Sequence, residues 1–186
     1  ALKNDPHDWK ILRLDRISSW TPTKMKWNKA VSDYNGVAEF NIAGQSDWGC
    51  SSLNKFEKNL DQTWPGRKDF KITETIQVKV TRLDTFIDEN KIPFIDFLHC
   101  DTQGNDFKVL KSLGKYINIV KSGSVEVFKQ NPLYVNIDNH IDNVFEFIEN
   151  NGFKIKNIIS NEKGTSFIQK DRVSSPSYTN SIPSPS

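Results

Sequence analysis

The chain has 186 residues, 36% of them hydrophobic and 26% charged, with a formal net charge of +2. These values suit one globular domain large enough to bury a core, and the charge argues against a nucleic-acid partner, which calls for a concentrated basic face. No apolar run approaches the ~20 residues that cross a bilayer, and no secretory signal pattern opens the chain. The two cysteines, Cys50 and Cys100, point to no disulfide and fit a reduced, cytoplasmic setting.

Residues 1 to 20 read two ways. Trp9, Leu12 and Arg16 would share a helix face, whereas Leu12 and Leu14 alternate with charges as in a strand. Pro6, tolerated in a first turn, tips the reading towards a helix. Met25 to Ser32 reads as a strand, Tyr34-Asn35-Gly36 as a turn, and Val37 to Ile42 as the partner strand. From Gly44 to Lys71 the pattern dissolves into a long loop of the functional or mobile kind. Ile76, Val78 and Val80 alternate with polar residues and predict a half-exposed strand; Thr85 to Asn90 predicts a short helix before Pro93.

Ile95 to Cys100 is a short apolar strand that stops at Asp101. A turn through Thr102, Gln103 and Gly104 leads into a helix in which Phe107, Leu110, Leu113 and Ile117 recur at helical spacing. Asn105 and Asp106 stand where a helix takes a cap and negative charge. Open α/β sheets build their sites at such strand-turn-helix junctions. Ser124 to Phe128 predicts the next strand. Asp138 or Asn139 then caps a helix with Ile141, Val144, Phe145 and Ile148 on one face, stopped by Gly152. Lys154 to Ile159 and Thr165 to Lys170 read as a closing hairpin. The segment 173–186, dominated by serine and proline, has little to bury and is expected to be a disordered tail beyond a domain of residues 1–172.

The segment Asp101-Thr102-Gln103-Gly104 and its helix resemble the corresponding part of FkbM-type S-adenosylmethionine-dependent methyltransferases. The likeness extends upstream to Val78 through Phe86, to Ala30-Val31-Ser32-Asp33 with Gly36 to Phe40, and to Ser51-Ser52-Leu53. Downstream it takes in Val125 to Phe128, Pro132-Leu133-Tyr134 and Asn151-Gly152-Phe153. The resemblance implies an α/β fold with a Rossmann-like class I methyltransferase sheet and a C-terminal antiparallel hairpin. It further implies S-adenosyl-L-methionine as cofactor and O-methylation of a small-molecule or glycan acceptor bearing a sugar, lipid or polyketide-like hydroxyl. That fold normally opens with a strand, a glycine-rich turn and a second strand ending in an acid. No Gly-x-Gly occurs in the first 35 residues, so the sheet is expected to lack its first strands and the chain to be a fragment. The alternative is a truncated or degenerate module that binds carbohydrate or a partner protein without turnover.

Methyl transfer to a hydroxyl asks the protein for alignment and a proton acceptor. The resemblance puts Asp101 between cofactor and acceptor, as base, hydroxyl orienter or metal ligand; as a local feature it equally reads as a helix cap. Glu126 sits in an apolar run, so it must be paired, protonated or facing a cleft. The resemblance makes it a second catalytic candidate, with an ordinary salt bridge as the alternative. Ala30, Val31 and Asp33 match the segment that approaches the adenine, although Asp33 also suits the start of a turn. On the acceptor side stand Gln103, Asn105, Ser51 and Ser52. Gln103 also reads as a solvated turn residue, Asn105 first as a cap, and the serines as ordinary loop residues. Gly104 points to a positive φ or close packing. Asp84 reads as a cap and His99 as a packed histidine. Trp20, Trp27, Trp48 and Trp64 suit a sugar-stacking surface or a core equally well. His7 and His140 have no partners at metal spacing, which leaves a metal requirement open.

Overall fold

The computed structural model describes residues 11–14, 29–44, 48–67, 70–160 and 165–172. The remainder, including His7, Trp20, Trp27 and the Ser/Pro-rich segment 173–186, lies outside the described residues. The fold is mixed α/β, with two sheets. The larger has five strands, β1 (Ile11–Leu14), β5 (Ile95–Cys100), β6 (Val120–Phe128), β7 (Phe153–Ser160) and β8 (Thr165–Arg172), in the order β1-β5-β6-β8-β7. Strands β1, β5 and β6 run parallel, β8 lies antiparallel to β6, and β7 antiparallel to β8. The smaller sheet places β4 (Ile72–Thr81) between β2 (Lys29–Val31), which is parallel to it, and β3 (Gly36–Ala43), which is antiparallel.

Two sequence expectations give way here. Within the residues expected to be helical after Pro6, Ile11–Leu14 is a strand, in register from Ile11 opposite Phe97 to Leu14 opposite Cys100. Its backbone pairs the side of β5 turned away from β6, and the need to satisfy those amides outweighs a weak helical pattern. Strands β2 and β3 also do not form the expected hairpin, because β4 lies between them. A two-residue hairpin turn needs positive φ, and neither Asn35 nor Gly36 has it. Asn35 instead serves the β4 exit: its Oδ1 accepts from Arg82 N at 2.8 Å, and its Nδ2 donates to Thr85 Oγ1 at 2.9 Å.

The helices are short. They are α1 (Leu60–Thr63), α2 (Leu83–Asn90), α3 (Asp106–Lys111) and α4 (Ile141–Asn150). The helical turn after α3 is 3₁₀, over Gly114–Ile119. On α4 the residues Ile141, Val144 and Ile148 are buried, one stripe at helical spacing. They join Leu98, Cys100, Val109, Leu110, Leu113, Val125 and Val127 in one core cluster. Each such side chain contributes about 1.5–3 kcal/mol on burial. A Cβ at Gly123 would lie 2.5 Å from the Leu98 carbonyl oxygen, so β5 and β6 approach closely only because glycine stands there. His140, not Asp138 or Asn139, is the N-cap of α4, its ring Nδ1 accepting from Asp142 N at 3.3 Å. Asn139 is drawn inward instead.

The stretch from Gly44 to Lys71 carries structure of its own. It contains a 3₁₀ turn at Trp48–Cys50 and helix α1, and it docks through single β-bridges, Asn41 to Ser52 and Phe56 to Tyr134. Phe56 stacks on Tyr134 with ring centres 5.3 Å apart and meets Phe70 at 5.7 Å. An expected loop thus becomes a strap, held down by aromatic contacts worth ~1 kcal/mol each.

Candidate active site

The site grows from the end of β5. Asp101 follows the strand half-buried, and the chain then takes two consecutive left-handed residues, Gln103 (φ +56°) and Gly104 (φ +84°). Glycine adopts that conformation freely, whereas glutamine does so at a cost of about 1 kcal/mol. A Cβ at Gly104 would also strike Tyr134 Cδ2 at 2.8 Å, so packing and backbone both require glycine.

Asp106, fully buried at the start of α3, holds the turn in this shape. Its Oδ1 accepts from Thr102 N at 2.6 Å and Thr102 Oγ1 at 3.1 Å, and its Oδ2 from Gly104 N and Asn139 Nδ2, both at 3.2 Å. Burial pushes its carboxyl up to about 6; the Thr102 amide opposes this and the neighbouring Asp101 adds to it. Burial likewise raises the Cys100 thiol well above its ordinary value; its Sγ lies 3.5 Å from Asp106 Oδ1.

Gln103 is tied on every side. Its carbonyl accepts from Ser52 Oγ at 2.7 Å, its Nε2 donates to Asp101 Oδ1 at 2.6 Å, and its Oε1 lies 3.0 Å from the Tyr134 hydroxyl. The same hydroxyl lies 2.8 Å from the Cys50 carbonyl oxygen. Burial raises the Tyr134 phenol well above its usual range, and Cys50, Glu126, Asp106 and Asp101 reinforce the effect.

Two buried asparagines tie strand ends together. Asn105 donates from Nδ2 to the Val31 carbonyl at 2.5 Å and accepts from Ser32 Oγ at 3.3 Å, joining the end of β2 to the start of α3. It occupies the N-cap position of α3 but makes no side-chain cap bond. Asn139 accepts from Phe107 N at 2.9 Å and donates to the Glu126 carbonyl at 2.8 Å as well as to Asp106. Beside the end of β6 and the turn after β5 opens a cleft lined by Gln103, Gly104, Glu126, Phe128, Tyr134 and Trp64, among others.

Of the candidate residues, Glu126 and Gln103 face this cleft. Asp101 does not line it and is joined to it through the Gln103 amide. Asp33 is exposed beyond β2, where its Oδ1 accepts from Ser32 Oγ at 3.2 Å and its carbonyl from Arg82 Nη1 at 2.6 Å. Ala30 and Val31 are half-buried in β2, with the Val31 carbonyl already taken by Asn105. Ser51 and Ser52 are buried and bonded inside the fold: Ser51 Oγ accepts from Ala43 N of β3 at 3.0 Å, and Ser52 Oγ accepts from Asn54 N at 3.0 Å while donating to the Gln103 carbonyl. Both ends of the Asn105 amide are likewise committed inside the fold. Asp84 pairs with Arg82 at 2.6 Å, which lowers its carboxyl, and His99 Nδ1 lies 2.7 Å from Ser124 Oγ. Among the described residues no group of three His, Cys, Asp or Glu stands ready for a metal ion, and no helix is long and apolar enough to cross a membrane.

Sequence reasoning did not single out Asp106, Asn139 or Tyr134 as site residues. Asp106 and Asn139 carried only cap-like signals, and Tyr134 only the pattern Pro132-Leu133-Tyr134.

Parallel strands, one of them ending on a carboxylate and a glycine turn beside a cleft, make this a mixed α/β domain of the kind whose ligands bind beyond the carboxyl ends of the strands. The sequence matches the Methyltransferase FkbM domain over residues 14–155, more than half of the chain, and the protein belongs to that family. No curated protein and no solved structure matches it.

Proposed function

We propose that the protein is an S-adenosyl-L-methionine-dependent O-methyltransferase acting on a hydroxyl of a sugar, lipid or polyketide-like acceptor. The observation that carries this reading is the carboxylate of Asp101 at the end of parallel strand β5, hydrogen-bonded to a Gln103 amide that faces a cleft. The order β5-β6-β8-β7, with β8 antiparallel between two strands that run alike, supports a Rossmann-like methyltransferase sheet.

The residues present suit a cationic methyl donor. Strands β2 and β5, each followed within two residues by an aspartate, are tied at their carboxyl ends by Asn105. Asp33 and Asp101 thus supply negative charge at one end of the fold, with Ala30 and Val31 beside them. When bound, S-adenosyl-L-methionine supplies a methyl group on a positively charged sulfur, which needs alignment more than activation. Asp101 would be the proton acceptor, taking up the proton that the acceptor hydroxyl gives up when it is methylated. Oδ1 is occupied by Gln103 Nε2, and among the described residues Oδ2 accepts no hydrogen bond, which leaves it for that hydroxyl. Glu126, on the facing strand end, orients the acceptor. The two buried cysteines, neither of them in a disulfide, support a reducing, cytoplasmic setting.

Calorimetry with S-adenosylhomocysteine on the full chain tests the cofactor assignment. Saturable binding, retained by Asp101→Asn while turnover is lost, is the expected result. No heat of binding would favour the alternative, a non-catalytic module, and wild-type turnover by Asp101→Asn would return Asp101 to a structural role.

A further inference from the structure

We infer that the Gln103 side-chain amide, backed by Tyr134, is a reversible relay whose orientation follows the protonation of Asp101. The inference rests on Asp101 as the proton acceptor of the proposed reaction and adds the residues that position it in both of its states.

The hydrogen bonds around Gln103 are one proton short. The Tyr134 hydroxyl has a single proton and two acceptors in reach, the Cys50 carbonyl at 2.8 Å and Gln103 Oε1 at 3.0 Å. With Asp101 ionised, Gln103 must turn its NH₂ towards the carboxylate, and the tyrosine proton is shared between two oxygens. Rotating the amide by half a turn exchanges nitrogen and oxygen in nearly the same volume. Gln103 N–H then donates to the Tyr134 oxygen, and Tyr134 O–H donates wholly to the Cys50 carbonyl. Gln103 oxygen now faces Asp101, which is favourable only if Asp101 carries a proton to donate.

That second arrangement satisfies every group, and it is the state reached once Asp101 has taken a proton from a hydroxyl. Rotation of the carboxyl group presents the new O–H to Gln103; no covalent bond other than the transferred O–H changes. The Gln103 to Asp101 separation of 2.6 Å suits an O–H···O contact as well as a short N–H···O contact. The rest of the site keeps the pair fixed while the amide turns: Ser52 holds the Gln103 carbonyl, and Asp106 holds Thr102 and Gly104 on either side. The other titratable groups that interact with Asp101 are Cys100 on β5, Asp106 on α3 and Tyr134, and Tyr134 in turn meets Cys50 and Glu126 on β6.

Tyr134 is accordingly a positioning residue. The test is an acid titration of the isotopically labelled full chain by nuclear magnetic resonance, with no donor or acceptor added. The Gln103 side-chain nitrogen and the Asp101 carboxyl carbon are assigned by their loss in Gln103→Glu and Asp101→Asn. In the wild type the two signals should move with one common midpoint, and in Asp101→Asn the Gln103 response should vanish. In Tyr134→Phe, with its fold checked by circular dichroism, the carboxyl should still titrate while the amide ceases to follow it. A Gln103 signal that stays put while Asp101 titrates in the wild type, or that follows it unchanged in Tyr134→Phe, overturns the relay. Because no cofactor enters the measurement, a coupled titration in a chain that fails to bind S-adenosylhomocysteine would uphold the relay and sink only the methyltransferase reading.

Discussion

Asp106→Asn separates two opposed effects that meet on one carboxylate. Burial favours the neutral acid, while four hydrogen-bond donors favour the anion. The folded carboxyl is displaced from 3.8 to about 6, so burial prevails. At 1.36 kcal/mol per pH unit that displacement amounts to about 3 kcal/mol. The sign follows from the raised folded value. The stabilising contribution is fully present below the unfolded value near 3.8 and is lost as pH rises through about 6. Urea unfolding of wild type and Asp106→Asn, from pH 4 to pH 7.5 in half-unit steps, reads the effect. Titrations common to both proteins cancel in the difference, in which the wild type should fall by about 2 kcal/mol relative to the variant from pH 4 to pH 7.5, nearly all of it below pH 6.5, the rest of the contribution being lost already below pH 4. A flat difference refutes the raised carboxyl. A difference that grows with pH means that the four donors outweigh burial and that Asp106 is held as an anion.

Two further substitutions test the frame of the site. Gly123→Ala puts a methyl group 2.5 Å from the Leu98 carbonyl oxygen, and since backbone must shift to admit it, thermal unfolding should show a loss of about 1–3 kcal/mol. Asn139→Ala strips the partners from Phe107 N and the Glu126 carbonyl and takes one donor from Asp106. Chemical denaturation should show a loss of about 2–4 kcal/mol, whereas a change below about 0.5 kcal/mol would mean that Asn139 is replaced by water at no cost.

The sequence carried the central strand and its neighbours well, for a physical reason. Ile95–Cys100, the alternating strand through Val78 and Val80, and the face of α4 are all periodic patterns produced by burial on one side. What it hid was pairing over distance. Nothing near Tyr34-Asn35-Gly36 tells that β4 will come between the two flanking strands, because that depends on Asn35 bonding to Arg82 and Thr85 about fifty residues away. The same holds for the site. Asp101, Gln103 and Glu126 stand out locally, as acids in apolar surroundings or as turn residues. Asp106 and Asn139 look like ordinary helix-start residues, and only the folded chain shows them facing each other.

The buried polar side chains beside the cleft tie its surroundings together. The ends of β2, β5 and β6 are connected by side chains of three buried residues, Asn105, Asp106 and Asn139, which are 2%, 0% and 3% exposed. Each makes at least two bonds to groups on neighbouring segments. Removing any one takes hydrogen bonds from two segments at once, so the three ends are coupled. Against that frame the Gln103 amide is the part for which we propose two orientations, one for each protonation state of Asp101. On the proposed reading, a rigid support with one rotating group suits proton transfer to Asp101, because the carboxylate would change its charge without the acceptor losing its place.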